Sequence, residues 1–311
     1  MRLSIVATLY LSENYVVEFY NRVTAVAQQL VGDDYEIVLV NDGSPDNSLE
    51  IATALVEKDS HVVVVDLSRN FGHHHAMRAG LEQTKGSQVF LIDSDLEEEP
   101  EWLLSFAQQM AHEDADVIYG VQKERKGKRF ERLSGALYYT ILNWLLNINH
   151  PRNITTTRLM TRRYVNALLS HKEVETVISC LWVITGFKQS PQIIKKHSNS
   201  PSTYGLFKKF NHLVNAVTSF SAAPLRIIFL CGILVFLISV FFALHLIIGR
   251  LFMSKPLVGW TSIMVSVWML GGMIISFIGI IGMYLSKIFL ETKQRPYAII
   301  RNIYRKSDEQ Y

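Results

Sequence analysis

Cysteine is scarce in this 311-residue chain, which contains only Cys180 and Cys231. Two cysteines cannot form the disulfide framework of a small secreted domain, so the sequence favours a reducing compartment. The chain also lacks a strong charge imbalance, because its net charge at pH 7 is only +3. Low-complexity segments and internal repeats are absent as well. The composition therefore gives no indication of nucleic-acid binding, disorder or a repeat architecture.

Charged residues are missing from two long apolar blocks near the C-terminus, at residues 227–248 and 262–285. The blocks raise the mean hydropathy to +0.16, and each is long enough to cross a bilayer core of roughly 30 Å as a helix. Their short connection predicts a membrane hairpin, and the basic residues on both flanks predict that the rest of the chain is cytoplasmic. Residues 1–6 are not expected to act as a secretory signal, because their apolar stretch is too short.

Strand-like and helix-like segments alternate through the first third of the chain. Amphipathic segments at residues 13–30, 48–57 and 73–83 predict three helices, and they separate apolar runs that predict four strands at 3–9, 35–40, 61–67 and 87–92. This alternation, with strands apolar on both faces, predicts an α/β fold with a mostly parallel sheet. Ligands of such sheets bind beyond the carboxyl ends of the strands.

The fourth predicted strand runs directly into an acidic stretch. Asp93 and Asp95 are separated by one residue, so both carboxylates can reach one small volume. A hard cation such as Mg²⁺ or Mn²⁺ offsets the repulsion between two carboxylates and is often shared with phosphate oxygens. The acids also fit the first turn of the following helix, where acidic residues and proline are common. The stretch by itself does not decide between a metal site and a helix start.

Polar residues follow two other predicted strands, as Asp42 and as Arg69 with Asn70. Because parallel strands end at one edge of a sheet, these residues are expected to lie beside the acidic stretch. A carboxylate there can accept hydrogen bonds from a base or ribose, while Arg69 and a helix N-terminus near Gly72 can face phosphate. The edge therefore suits a nucleotide diphosphate, although each cluster alone also fits a turn or a surface cation.

Three consecutive histidines, at positions 73–75, do not predict a zinc site, because consecutive helical side chains point in different directions. Further along, residues 122–129 form a basic loop that either is solvated or receives a second anion. The apolar segment 133–148 fits either a core helix or a helix at a membrane surface. The remaining predicted elements are strands at 116–121 and 155–161, a buried helix at 175–187, an edge strand at 193–196 and an amphipathic helix at 204–220.

Seven motifs occur in order along the chain, at residues 4–10, 41–44 (Asn-Asp-Gly-Ser), 67–72 (Leu-Ser-Arg-Asn-Phe-Gly), 76–81, 93–96 (Asp-Ser-Asp-Leu), 158–163 and 218–226. Together they resemble the glycosyltransferase family 2 enzymes that load sugars onto polyprenyl phosphate, the dolichol-phosphate-mannose synthase-like and bactoprenol glucosyltransferase-like group. The resemblance implies a GT-A (Rossmann-like) fold and inverting transfer from a nucleotide-diphosphate sugar, with UDP as the commoner nucleotide. It also implies a role in cell-envelope glycan synthesis or O-antigen modification.

The resemblance implies roles for individual residues. Mg²⁺ or Mn²⁺ would bind Asp93, Asp95 and Glu97, and the catalytic residues would be Asp93, Asp95, Arg125 and Arg132. The nucleotide-sugar donor would contact a set of residues from several motifs: Thr8, Tyr10, Glu13, Asp42, Arg69, Asn70, Gly72, Asp93 and Ser134. An ionised phosphate acceptor, whose second pKa is about 6, needs no general base.

The chain departs from the family pattern at several positions. Glu13 stands one place late in the first-strand motif, Gln122 replaces a usual arginine, and Glu97 replaces a usual glutamine. The residues after Gly72 are histidines, where Lys-Glu is common, and residues 179–182 and 196–204 keep little of two further family patterns. These departures leave the identity of the donor sugar open.

The sequence predicts four regions: a cytoplasmic GT-A domain (1–200), an amphipathic interface helix (201–226), a transmembrane hairpin (227–285) and a basic cytoplasmic tail (286–311). The resemblance implies a bacterial inner-membrane enzyme that forms a homotetramer and works with a flippase. Two alternatives remain. The acceptor is a sugar already carried on a lipid diphosphate, with Glu173 or Glu175 as base, or the chain is a non-catalytic membrane scaffold.

Overall fold

The computed structural model describes residues 1–122, 151, 153–173, 178–196, 214, 217–218, 221–253 and 259–306. These residues contain eight strands, numbered β1 to β8 in chain order: Leu3–Leu9, Tyr35–Asn41, Val62–Leu67, Gln88–Leu91, Val117–Gln122, Ile154–Thr161, Gln189–Ile194 and Ile300–Arg305. They also contain eight helices, numbered α1 to α8: Val16–Val31, Ser48–Lys58, His73–Glu82, Trp102–Glu113, Arg162–Ser170, Ile178–Ile184, Ala223–Met253 and Trp260–Thr292.

One mixed sheet contains all eight strands of the described residues, in the order β7-β5-β6-β4-β1-β2-β3-β8. The central strands β4, β1, β2 and β3 are parallel, whereas β6 and β8 are antiparallel to their neighbours β4 and β3. The predicted mostly parallel α/β sheet is thereby confirmed. Helical crossovers between parallel strands explain why β1, β2 and β3 are buried along their whole length.

The core follows from the spacing of apolar residues. Helix α1 buries Val16, Phe19, Val23, Val26 and Ala27, which recur at helical intervals along one face. These side chains pack in one cluster with the apolar residues of β1 and β2, and a ring of Phe106 from α4 meets Phe90 of β4 edge to face. Burial on both sides of the sheet stabilises the strands that end at the polar loops.

Helices α7 and α8 form a second unit, separate from the sheet unit. Within them, the segments Ala223–Phe241 and Ser266–Thr292 have mean hydropathies of 2.5 and 2.0, and neither is buried. Both helices are long and apolar enough to cross a membrane. They extend beyond the predicted apolar blocks at both ends, because a helix can continue into the polar flanks where water solvates it.

Two predicted elements differ from the structure. The edge strand begins at Gln189 and ends at Ile194, not at residues 193–196, because pairing with β5 starts opposite Val117. Its Pro191 is compatible with an edge strand, where a missing N–H is tolerated. The buried helix α6 spans Ile178–Ile184 within the described residues. The predicted helices at 133–148 and 204–220 lie outside the described residues, apart from a few positions.

The C-terminal strand β8 was not predicted from the sequence. Residues 295–306 belong to the sheet unit, and β8 pairs antiparallel with β3 from Val63 to Leu67. Part of the segment assigned to a basic tail thus completes the sheet. The four region boundaries as a whole stay a prediction.

Candidate active site

Parallel pairing brings the ends of β1, β2, β3 and β4 to one edge of the sheet. Leu9 pairs with Asn41 and Asn41 pairs with Asp66, while β4 ends at Leu91 beside Val6. The polar loops that follow these strands therefore begin close together, as the sequence analysis expected. Ser94 closes this edge by donating a hydrogen bond to the carbonyl oxygen of Thr8 at 2.8 Å.

Asp42 fixes the loop that follows β3. The residue is 2% exposed, and its two carboxylate oxygens accept hydrogen bonds from the N–H groups of Phe71 at 2.7 Å and Gly72 at 3.0 Å. Burial raises the pKa of Asp42, and these two hydrogen bonds only partly oppose the rise. Gly43 packs on the same loop, since a Cβ there would lie 2.4 Å from the carbonyl carbon of Arg69. The predicted contact of Asp42 with a nucleoside stays a prediction.

Asp93 lies against His73, the first residue of α3. The Nε2 atom of His73 is 3.2 Å from Oδ1 of Asp93, and its Nδ1 is 3.0 Å from the hydroxyl of Thr8. Burial opposes ionisation of Asp93, but His73 and Lys196 outweigh it and lower the pKa of this carboxyl. Burial also acts against protonation of His73, yet Asp93 raises the pKa of the imidazole. The pair therefore favours charges of opposite sign.

Asp95 is half-buried and presents its carboxylate differently. Oδ1 accepts a hydrogen bond from the N–H of Glu97 at 3.0 Å. Burial and the nearby charge of Asp93 raise the pKa of Asp95, in contrast to the lowered pKa of Asp93. Two neighbouring carboxylates with pKa values pushed in opposite directions are typical of a site that accepts a proton or a cation.

Lys196, two residues beyond β7, neutralises part of the acidic stretch. Its Nζ lies 3.1 Å from Oε2 of Glu97 and 3.4 Å from Oε1 of Glu98. Burial lowers the pKa of Lys196, but the surrounding carboxylates outweigh burial and raise it. Glu97, predicted as a metal ligand, therefore faces an ammonium group, and its metal role stays a prediction.

Glu98 is buried rather than exposed at the start of a helix. It is 1% exposed, and Oε2 accepts hydrogen bonds from the N–H and the hydroxyl of Thr157 on β6. Burial and the charge of Asp93 raise the pKa of Glu98 to about 7. Glu98 therefore does not fit the alternative explanation of the acidic stretch, in which its carboxylates belong to the first turn of the following helix. Its side chain points inward because Lys196 and Thr157 supply polar partners there.

The acidic edge fits a divalent cation that is shared with a substrate. No group of three His, Cys, Asp or Glu side chains in the described residues is arranged to hold a metal by itself. Asp93 and Asp95 nevertheless supply hard carboxylate oxygens, and Mg²⁺ is often held by one or two carboxylates together with substrate phosphates. The donor set therefore suits Mg²⁺ or Mn²⁺ in the presence of a diphosphate.

The other predicted site residues have varied positions. Tyr10, Arg69 and Asn70 are exposed, and the guanidinium of Arg69 lies 4.0 Å from the ring centre of Phe71. Glu13 is engaged elsewhere, because its Oε2 accepts hydrogen bonds from the backbone and side chain of Asn47. The remaining predicted residues, Arg125, Arg132 and Ser134, lie outside the described residues, as does Glu175.

His73, Lys196 and Glu98 also belong to the site, although no role there was predicted for them from the sequence. A zinc site was not predicted at His73 and its two neighbours, and the imidazole of His73 instead contacts Asp93. The position of His73 at the start of the helix after the third strand was the sequence feature that could have indicated a role at this edge. Lys196 carried no such indication, because it follows a short edge strand far along the chain.

A buried arginine lies on β6. Arg158 is 1% exposed, its guanidinium donates to the carbonyl oxygens of Thr155 and Thr156 at 3.2 Å, and it stacks over the ring of Trp182. Burial lowers the pKa of Arg158 to about 9. The Arg158 side chain links β6 to α6. It thereby supports β6, whose Thr157 donates hydrogen bonds to Glu98.

Comparisons with known proteins place the chain among glycosyltransferases. The family described as Glycosyl transferase family 2 matches residues 4–169, more than half of the chain. A protein of Mycobacterium tuberculosis (strain CDC 1551 / Oshkosh), assigned by name to the glycosyltransferases, is 47% identical over 98% of this chain and 89% of its own length. A protein of Shigella phage SfV named bactoprenol glucosyl transferase is 30% identical over 97% of this chain and 99% of its own length.

Among solved structures, a mannosyltransferase of Pyrobaculum calidifontis in complex with GDP-Man and Mn²⁺ overlaps with a TM-score of 0.49 at 16% identity. The overlap covers 69% of this chain and 62% of that chain.

Proposed function

The chain belongs to glycosyl transferase family 2, and we propose that it transfers a sugar from a nucleotide-diphosphate sugar to polyprenyl phosphate at a membrane. The observation that carries this proposal is the pair Asp93 and Asp95 at the sheet edge, next to the loop that Asp42 fixes. The carboxylates would hold Mg²⁺ or Mn²⁺, and the loop after β3 would face the donor.

The residues of this edge perform distinct tasks. A bound divalent cation would supply charge neutralisation for the leaving diphosphate. His73 contacts both Thr8 and Asp93 and so holds the Asp93 carboxylate in one orientation. Lys196 keeps Glu97 and Glu98 paired, so Asp95 is left as the carboxylate most open to a cation. Catalysis by such a site consists of positioning and electrostatic stabilisation.

The acceptor proposal rests on different observations. A relative of nearly equal length is named bactoprenol glucosyl transferase, and two apolar helices of this chain can cross a membrane. A polyprenyl phosphate would present an already ionised nucleophile, because the second pKa of a phosphate monoester is about 6. Arg125, Arg132 and Ser134 are proposed to bind phosphate groups. UDP-glucose is the first donor to test, since the relative's name specifies a glucosyl group.

The location and partners are proposed with the same function. The protein would reside in a bacterial inner membrane, with the sheet unit in the cytoplasm and α7 and α8 as a hairpin. Its product would serve cell-envelope glycan synthesis or O-antigen modification, together with a flippase that moves the lipid across the membrane. A homotetramer is proposed from the family resemblance alone.

The test is transfer by purified full-length protein in detergent, with undecaprenyl phosphate, Mn²⁺ and a panel of nucleotide sugars that begins with UDP-glucose. Mass spectrometry of the lipid fraction should detect a glycosyl phosphate lipid. EDTA should abolish it, and added Mg²⁺ or Mn²⁺ should restore it. Absence of a lipid product with every donor would contradict the proposal.

Asp95→Asn should lower the rate of transfer on the order of 100-fold or more. The change removes a negatively charged ligand of the cation that stabilises the transition state. Glu57→Gln, an exposed change on α2, is the matched control and should match the wild type. Equal activity of Asp95→Asn and wild type would contradict the metal assignment.

A lipid-diphosphate-linked sugar as acceptor is tested in the same assay by replacing undecaprenyl phosphate with that lipid.

A further inference from the structure

Strand β8 carries a bulge beside the candidate donor site. Asp66 on β3 pairs with Asn302 and the next residue, Leu67, pairs with Ile300, so Arg301 is an extra residue on β8. A β-bulge of this kind redirects the side chain that it contains, and bulges are common next to active sites. Here the bulge turns Arg301 toward the end of β3.

The Arg301 guanidinium spans two acceptors at that strand end. Nη2 donates a hydrogen bond to the carbonyl oxygen of Ser68 at 2.6 Å, and Nη1 lies 3.5 Å from Oδ2 of Asp66. Asp66 is 1% exposed, and its Oδ2 accepts no hydrogen bond from the described residues. The N–H of Ser68 also donates to the carbonyl oxygen of Ile299 at 2.9 Å. The tail thus holds Ser68, where the loop after β3 begins, from both sides of its backbone.

Asp66 extends this contact to the loop after β2. Its Oδ1 accepts a hydrogen bond from Nδ2 of Asn41 at 2.8 Å. The Oδ1 atom of Asn41 accepts in turn from the N–H of Ser44 at 3.2 Å. This orients the turn that contains Asp42. A continuous set of polar contacts therefore runs from Arg301 through Asp66 and Asn41 to the Asp42 turn.

We propose that Arg301 is a positioning residue for the nucleotide-donor site. It acts by fixing the loops after β2 and β3, which Asp42 joins. The expected effect of Arg301 on the donor rests on the proposed function, whereas its expected effect on the loops does not. Arg301 forms an ion pair with a buried carboxylate oxygen that accepts no hydrogen bond within the described residues. A buried acceptor that loses its partner costs free energy, and the loop geometry relaxes to relieve it. Arg301 itself is more than half exposed, so its replacement leaves the core packing intact.

The experiment compares Arg301→Ala with Arg305→Ala in full-length protein. Arg305 lies on the same strand, is exposed and pairs opposite Val63, away from the loop. Removing it changes the net charge of the tail equally. Amide hydrogen exchange is measured at residues 66–72 without substrate, and the KM for the donor and kcat are measured in the transfer assay.

Arg301→Ala should accelerate exchange at residues 66–72 and raise the donor KM by about tenfold, with a smaller change in kcat. Arg305→Ala should resemble wild type in both measurements, and Arg301→Lys should restore part of the loop protection by returning the charge. Unchanged exchange and KM in Arg301→Ala would overturn the inference, as would equal effects of the two alanine variants. If wild-type protein transfers no sugar, the proposed function fails, and the exchange comparison still decides the inference.

Discussion

Each carboxylate at the sheet edge has different neighbours, and these neighbours determine what the group can do. Both oxygens of Asp42 accept from main-chain N–H groups, so this residue shapes a loop. Asp93 faces an imidazole, and Glu97 and Glu98 face an ammonium group. Within the part of the chain that the structure describes, Asp95 accepts a hydrogen bond only from the backbone N–H of Glu97. The cation site is therefore expected to depend more on Asp95 than on Glu97.

Asp42→Asn tests the loop role of that residue. An amide has one acceptor oxygen, so one of the partly buried N–H groups of Phe71 and Gly72 would lose its partner, at a cost of about 1 kcal/mol. We expect a higher donor KM and a lower thermal midpoint than in wild type. Asp33→Asn, an exposed change near the start of β2, serves as the control. Identical loop exchange and KM in both variants would contradict this role.

The stability of the fold is expected to depend on pH through Asp46, in the loop after β2. Burial disfavours its ionisation, but the hydroxyls of Ser44 and Ser48 and the N–H of Glu13 outweigh burial and lower its pKa to about 2. The unfolded value is about 3.9. A lowered folded pKa stabilises the fold above the unfolded pKa, and this contribution is lost as pH falls toward 2.

The expected result is a thermal midpoint for Asp46→Asn that lies below wild type at pH 7, with a gap that narrows as pH is lowered from 4 toward 2. Thermal unfolding in detergent across this pH range measures the gap. A gap that stays constant over the range would contradict the assignment.

At the scale of elements, β8 protects the outer edge of β3. An unpaired edge strand exposes N–H and C=O groups that promote association between chains. Deletion of residues 295–311 should therefore lower the thermal midpoint and increase aggregation, which size-exclusion chromatography would measure. Deletion of residues 307–311 alone keeps β8 and is the control. Equal behaviour of the two truncated chains would show that β8 contributes nothing to the sheet.

The elements that sequence reasoning predicted are those with local causes. Strands β1 to β4 and helices α1 to α3 follow from apolar spacing within each segment, and the convergence of their loops follows from parallel pairing. Strand β8 was not predicted, because its six residues alternate only weakly between apolar and polar side chains. They also pair with a strand more than 230 residues away, as the 233-residue separation of Arg301 and Ser68 shows. Local pattern does not encode such a pairing.

The same reason explains which site residues were missed. Three glutamates occur together at positions 97–99, and nothing local distinguishes the one that is buried. Glu98 is selected by Thr157 and Lys196, which are 59 and 98 residues away. His73 could have been inferred from its place at a strand end, whereas Lys196 becomes a site residue only through the sheet order.

At the scale of the whole molecule, the two apolar helices predict a topology that can be measured. With Cys180 and Cys231 replaced by Ser, a cysteine at position 255, between α7 and α8, should react with a membrane-impermeant maleimide on intact cells. A cysteine at position 57, in the sheet unit, should react only after the membrane is permeabilised. The opposite labelling pattern would contradict the cytoplasmic assignment, and labelling of both on intact cells would indicate leakage, which a cytosolic marker protein monitors.

The position of β8 in the chain also orders the biosynthesis of the protein. The ribosome completes β1 to β7 before α7 and α8, and it synthesises β8 only after both apolar helices. Until then β3 remains an open edge, and neither Ser68 nor Asp66 has its contact with the tail. The contacts of the tail with Ser68 and Asp66 therefore form only once the apolar helices have left the ribosome. A chain that stalls before that point would carry the acidic residues of the site without the strand that completes its sheet.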